Sequence, residues 1–186
     1  MNKIEKYFKQ KKFARITRSI SKYNKPIERG FVVDYSDDFI VLQESDNFRL
    51  LGFIVLPNST IKEWRYNAND AFYEKLVKLE ESDAAIKVKT KVELNGWKSL
   101  FQSLKDNNKY VIVECQHHKI DSFVIGEIVS VKEKSVSILY FNPEAIFDKK
   151  PTKIKFKNIT KITFDDRYID VFQKYINTNN YKNVDT

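Results

Sequence analysis

One cysteine, four glycines and four prolines among 186 residues exclude several classes of protein at once. The lone Cys115 cannot form an internal disulfide, so a disulfide-stapled secreted scaffold is ruled out. Four glycines with no glycine-rich run leave no loop of the kind that cradles phosphates. No apolar stretch approaches the roughly 18 residues of a membrane span, and Lys3, Lys6, Lys9, Lys11 and Lys12 interrupt any signal-peptide core at the amino terminus. The expectation is a cytoplasmic protein with no membrane partner. Disorder is excluded as well, because 42% hydrophobic and 14% aromatic content supplies cores despite 31% charge.

What the chain does have is an order of segments written twice, over about eighty residues each time. In the first copy Lys12-Phe13-Ala14-Arg15-Ile16 is followed by Gly30-Phe31-Val32-Val33, Phe39-Ile40-Val41-Leu42, Ile61 with Trp64, and a helical Tyr73-Leu76 stretch. The second copy answers with Lys109-Tyr110-Val111-Ile112-Val113, Gly126-Glu127-Ile128-Val129, Val136-Ser137-Ile138-Leu139, Ile159 with Ile162, and Tyr168-Ile169 with Phe172. The offset between copies drifts only from 96 (Gly30 to Gly126) through 97 (Phe13 to Tyr110) to 98 (Ile61 to Ile159), as single insertions in turns would produce.

Period-two alternation and turn residues predict hairpins at 30–42 and 125–140, a further arm at 50–56 ending at Pro57, and short last strands at 61–64 and 159–164. Apolar residues at helical spacing predict helices at 2–10, 69–80 and 166–176, and one that starts from an Asn95 cap and carries Trp97, Leu100, Phe101 and Leu104. Residues 86–94 alternate strictly, which predicts an ordered joining strand. Residues 179–186, rich in Asn and without periodicity, read as a frayed tail.

A helix and five short, curved antiparallel strands with Gly early in the second strand resemble the Sm-like small β-barrel. GFVVDYSDDFIVLQ is similar to the first half of the Sm motif and GFIVLPNSTIKEW to the second, and the whole order resembles that of bacterial proteins that carry two such units. The resemblance implies a mainly β fold with flanking α-helices. It further implies two tandem barrels, at residues 1–84 and 85–178, each with an N-terminal helix, about five strands, a C-terminal helix and its own apolar interior. Gly30 and Gly126 would sit where a strand bends too sharply to admit a side chain. The family's RNA-binding pattern is not met: the first loop offers Asp37-Asp38-Phe39-Ile40 without Asn, so no uridine pocket is assigned.

The chemistry-bearing residues argue against an enzyme. Cys115, His117 and His118 are the one cluster of metal-ligand types, yet alternation splits them between two strand faces and a structural zinc needs four ligands, so neither metal nor cofactor is expected. Asp37-Asp38 and Asp165-Asp166 read as turn and helix caps. Residues 1–29, by contrast, hold ten Lys or Arg and two Glu, and this segment accounts for the whole net charge of +8. Lys9, Lys11, Lys12, Arg15, Arg18, Lys22, Lys25 and Arg29, interleaved with Tyr7, Phe8, Phe13 and Tyr23, combine phosphate-seeking charge with rings that stack on bases. The expectation is a non-enzymatic module that binds RNA or single-stranded DNA through this segment. A protein-interaction or adaptor module, including a toxin-neutralising partner, is the second reading.

Overall fold

Alternating apolar and polar residues become ten antiparallel strands and four α-helices among the residues described by the computed structural model, 2–117 and 119–178. The tail expected at 179–186 lies outside them. Helix α1 (Lys3–Lys9) leads into β1 (Phe13–Arg18), β2 (Ile27–Tyr35), β3 (Phe39–Asp46), β4 (Arg49–Pro57) and β5 (Ile61–Arg65), followed by α2 (Ala68–Glu80). The order then recurs as α3 (Trp97–Asp106), β6 (Tyr110–His117), β7 (Ile120–Lys132), β8 (Ser135–Tyr140), β9 (Thr152–Lys155), β10 (Lys161–Phe164) and α4 (Arg167–Thr178).

The two halves repeat in register as well as in order. Ala14 faces Gly30 across β1 and β2, and Val111 faces Gly126 across β6 and β7. Each second strand then meets the third through a bulge, past Val32 in one half and past Ile128 in the other. The glycines are obligatory at this bend, since a Cβ on Gly30 would strike the Gln43 carbonyl and one on Gly126 the Leu139 carbonyl.

Two closed barrels, each around its own interior, are not what forms. The strands make one open sheet in the order β5-β1-β2-β3-β4-β10-β6-β7-β8-β9. The physical reason lies at the middle. The β4 edge carries Phe53, Ile54 and Val55, an apolar row whose backbone groups need partners, and β10 supplies them through Phe164, Thr163 and Ile162. Phe53 and Phe164 stack across this seam at 5.4 Å. The largest core consequently draws on both halves, with Phe13, Phe31, Phe39 and Phe53 packed in one cluster with Phe101, Val111, Phe156 and Phe164. Smaller clusters fill the opposite faces, one around Ile16, Val32 and Leu42 and one around Ile112, Phe141 and Ile169.

Residues 86–94 form no strand. Their period-two pattern is real, with Ile86, Thr90, Val92 and Leu94 buried between exposed residues, but it reflects an extended crossing of the core. Side chains take the place of a ladder partner: Lys87 N–H donates to Gln43, Glu93 N–H to Ser103, and the Leu94 carbonyl accepts from Ser36. Helix α3 begins one residue later than expected, with Gly96 at φ 108° rather than Asn95 in the cap position.

Candidate nucleic-acid interface

The eight basic residues singled out in the first 29 positions separate on folding. Arg18 leaves the surface altogether: it is fully buried, ion-paired to Glu28 at 2.8 Å, and donates to Thr60 Oγ1 at 3.2 Å and to the Thr160 carbonyl. Its expected role at the interface is therefore corrected. A long cation pointing inward at a strand end found a carboxylate and a carbonyl there, and it joins β1 to the other half of the chain. Lys9 pairs with Glu5 at 2.7 Å, Lys11 donates to the Asp83 carbonyl at 2.7 Å, and Lys12 lies over the Tyr66 ring at 4.0 Å. Lys22 and Lys25 are exposed in the loop between β1 and β2.

Arg15 and Arg29 are brought together, and a third arginine joins them. Arg15 stands directly opposite Arg29 on β2 and directly opposite Arg65 on β5, so three guanidinium groups form one row across adjacent strands. Like charges in facing positions repel. Burial first, and then the charges of Arg29 and Arg65, hold the Arg15 pKa below its usual value. The row opens on a cleft of about 330 Å³ that is also lined by Phe13, Asn69 and Tyr73. Asp46 and Asp70 are the acidic groups of its wall.

The start of α2 closes one side. Asn67 caps the helix by accepting from Asn69 and Asp70 N–H at 3.0 and 3.1 Å, while Asp70 accepts from Asn67 N–H at 3.0 Å in the reciprocal bond of a capping box. The same Asp70 carboxylate takes both arms of Arg65, Nε at 3.0 Å and Nη2 at 2.8 Å. That bidentate bond lowers the Asp70 pKa and raises that of Arg65. Neither Arg15 nor Arg29 has an ion-pair partner among the described residues.

The second half treats the same positions differently. Ile112 of β6 faces Ile125 of β7 and Thr163 of β10, in the register that joins Arg15 to Arg29 and Arg65. Ile169, third residue after the Asp166 cap of α4, stands where Asp70 stands in α2, and it packs with Ile112 and Ile125 in one cluster. An apolar contact in one half is a charged cleft in the other.

Cys115, Asp165 and Asp166 take structural places. Cys115 is buried in the shared core and burial pushes its thiol pKa up, opposite to what a nucleophile needs. His118 lies outside the described residues, and among those described no group of three His, Cys, Asp or Glu could hold a metal. Asp166 caps α4, accepting from Tyr168 N–H at 2.8 Å, and Asp165 ties Lys109 and Thr90 at 2.6 Å each. At the 36–39 turn Ser36 is the cap, accepting from Asp38 and Phe39 N–H at 3.2 Å, in place of the expected Asp37-Asp38.

Sequence reasoning missed Arg65, which is 36 positions beyond Arg29 and meets it only through the β1 ladder. The signal was present in the repeat, where the residue aligned with Arg65 is Thr163. Compared with known proteins, the chain matches no family model, no curated protein and no solved structure.

Proposed function

We propose that the chain is a non-enzymatic binding module that holds RNA or single-stranded DNA at the cleft of Arg15, Arg29 and Arg65. In this reading residues 1–84 and 85–178 descend from one five-stranded Sm-like unit, fused through β4 and β10 instead of standing as separate barrels. The repeated strand order and the paired bulges support the kinship.

One observation carries the binding site. Three arginines stand side by side where the matching positions of the second half hold Ile112, Ile125 and Thr163. The apolar solution is available to this fold, and facing cations cost stability; Asp70 compensates Arg65, so the unpaired Arg15 and Arg29 are explained by an anion that lies against them. Phosphates meet that need: planar guanidinium groups bind them with paired N–H donors, and successive phosphates of a single strand match a row of cations. Exposed Tyr23, in the loop joining β1 to β2, offers a ring for a base.

Filter binding with mixed-sequence single-stranded oligonucleotides tests the reading. Affinity falls steeply as salt rises, and Arg15→Glu with Arg29→Glu abolishes it while the fold is retained. Absence of binding at low salt, or binding indifferent to this double change, removes the proposal.

A further inference from the structure

The free edge of the second half carries a different surface. β9 is the last strand of the sheet and pairs with β8 alone, whereas its counterpart β4 is joined on both sides, to β3 and to β10. The correspondence is fixed by register: Ile40 faces Leu56 and Val41 faces Val55 in the first half, as Val136 faces Ile154 and Ser137 faces Lys153 in the second. The unit thus has a side at which strands are added. In the first half that side is occupied.

Around the vacant side the sequence is basic where β4 is apolar. Lys149, Lys150, Lys153, Lys155 and Lys157 are all exposed, with Lys134 beside them at the β7–β8 turn. None of the six has an ion-pair partner among the described residues, and the nearby Glu133 is tied to Lys98. Lys134, Lys153, Lys155 and Lys157 line a cleft of about 640 Å³ with Trp97 and Phe156 in its wall. Phe156 is buried and stacks on Phe101 at 5.7 Å.

Hydrogen-bond alternation says which backbone groups are available. Phe156 N–H donates to the Lys134 carbonyl at 3.1 Å, which makes Phe156 and, two residues back, Ile154 the positions bonded to β8. The N–H and C=O of the intervening Lys155, and of Lys153 on the other side of Ile154, consequently face the open edge. A row of lysines beside free backbone donors and acceptors, with an aromatic wall, presents the chemistry for an extended acidic segment.

We infer that β9 is a docking edge for an acidic, extended peptide of a partner protein, which adds as the eleventh strand. Main-chain bonds to Lys153 supply pairing. Carboxylates of the peptide meet Lys134, Lys153, Lys155 and Lys157, and one apolar residue rests against Trp97 and Phe156. This surface belongs to the second half and stands independently of the arginine cleft.

The test is fluorescence anisotropy of a labelled, capped octapeptide that alternates Glu and Val. Saturable binding is expected, weakened by salt and accompanied by a change in Trp97 emission. Lys153→Glu with Lys155→Glu lowers affinity by at least about tenfold, whereas Arg15→Glu with Arg29→Glu leaves it unchanged. Lys153→Pro is the sharper variant, because it removes an outward N–H without touching the β8 ladder, and it abolishes peptide binding while circular dichroism and thermal unfolding stay as in the parent. No binding by the parent, or binding that survives Lys153→Pro, overturns the inference. So does capture at this cleft of a mixed-sequence single-stranded oligonucleotide in place of the peptide.

Discussion

At matching ladder positions the first half places Arg15, Arg29 and Arg65 beneath Asp70, and the second places Ile112, Ile125 and Thr163 beneath Ile169. The backbone is the same and the chemistry is opposite. Elsewhere the contrast recurs. Glu44 faces Gly30 where Tyr140 faces Gly126, and Arg18 and Glu28 sit at the positions that Cys115 and Val124 hold in the other half. The lesson is that one hydrogen-bonded frame specifies where side chains meet, not what they do. A helix laid over the frame makes a dry core when it presents Ile169, and an open charged cleft when it presents Asp70.

The largest effect is expected at Arg18. Arg18→Ala leaves the Glu28 carboxylate buried without its cation and the Thr160 carbonyl without its donor, an expected loss of about 3–5 kcal/mol. Arg18→Met combined with Glu28→Leu imitates the apolar second half and recovers most of that loss. Urea unfolding of the two variants separates a charge pair that holds the halves together from one that merely fills space. A double variant as unstable as Arg18→Ala contradicts the comparison.

A smaller effect is expected at Glu44. Burial, with Glu28, Asp166 and Glu114 nearby and only Lys161 in opposition, pushes its pKa from 4.5 to about 7. The folded chain therefore favours the neutral acid. Its contribution to stability is intact below pH 4.5, declines as the pH rises toward 7 and is fully lost above, to a total of up to about 3 kcal/mol. Glu44→Gln, which keeps the side-chain shape without the charge, flattens this decline and raises stability at pH 8. Unfolding curves at pH 4.5, 6 and 8 are the check, and an unchanged slope sinks the assignment.

Local periodicity made much of this frame legible. The hairpins, the bend at Gly30 and Gly126, and the four helices follow from residues close in sequence, where alternation and turn chemistry act directly. What stayed hidden depends on distant partners. The β4–β10 seam could not be read because an apolar strand edge does not announce which strand will cover it, and the expected barrels dissolved into one sheet for that reason. Residues 86–94 alternate because they cross a core in extended form, and alternation alone does not distinguish such a crossing from a paired strand. The candidate site divided in the same way. Arg15 and Arg29 meet across the β1–β2 ladder, Arg18 was drawn inward by Glu28, and Arg65 became visible only once β5 was laid against β1. The lysines of 149–157 were concealed by counting charge along the chain, where acidic residues elsewhere cancel them.

The most direct measurement exchanges one half's chemistry for the other's. Arg15→Ile, Arg29→Ile, Arg65→Thr and Asp70→Ile together give the first half the second half's contact, and the salt dependence of single-stranded oligonucleotide binding is then compared with that of the parent. The expected result is a folded variant whose plot of log affinity against log salt is shallower by about 1.4, close to 0.7 for each of Arg15 and Arg29, the two arginines without a carboxylate partner, with weaker binding at every salt concentration. A folded variant with the parent's slope and affinity would show that the arginine row does not hold the nucleic acid.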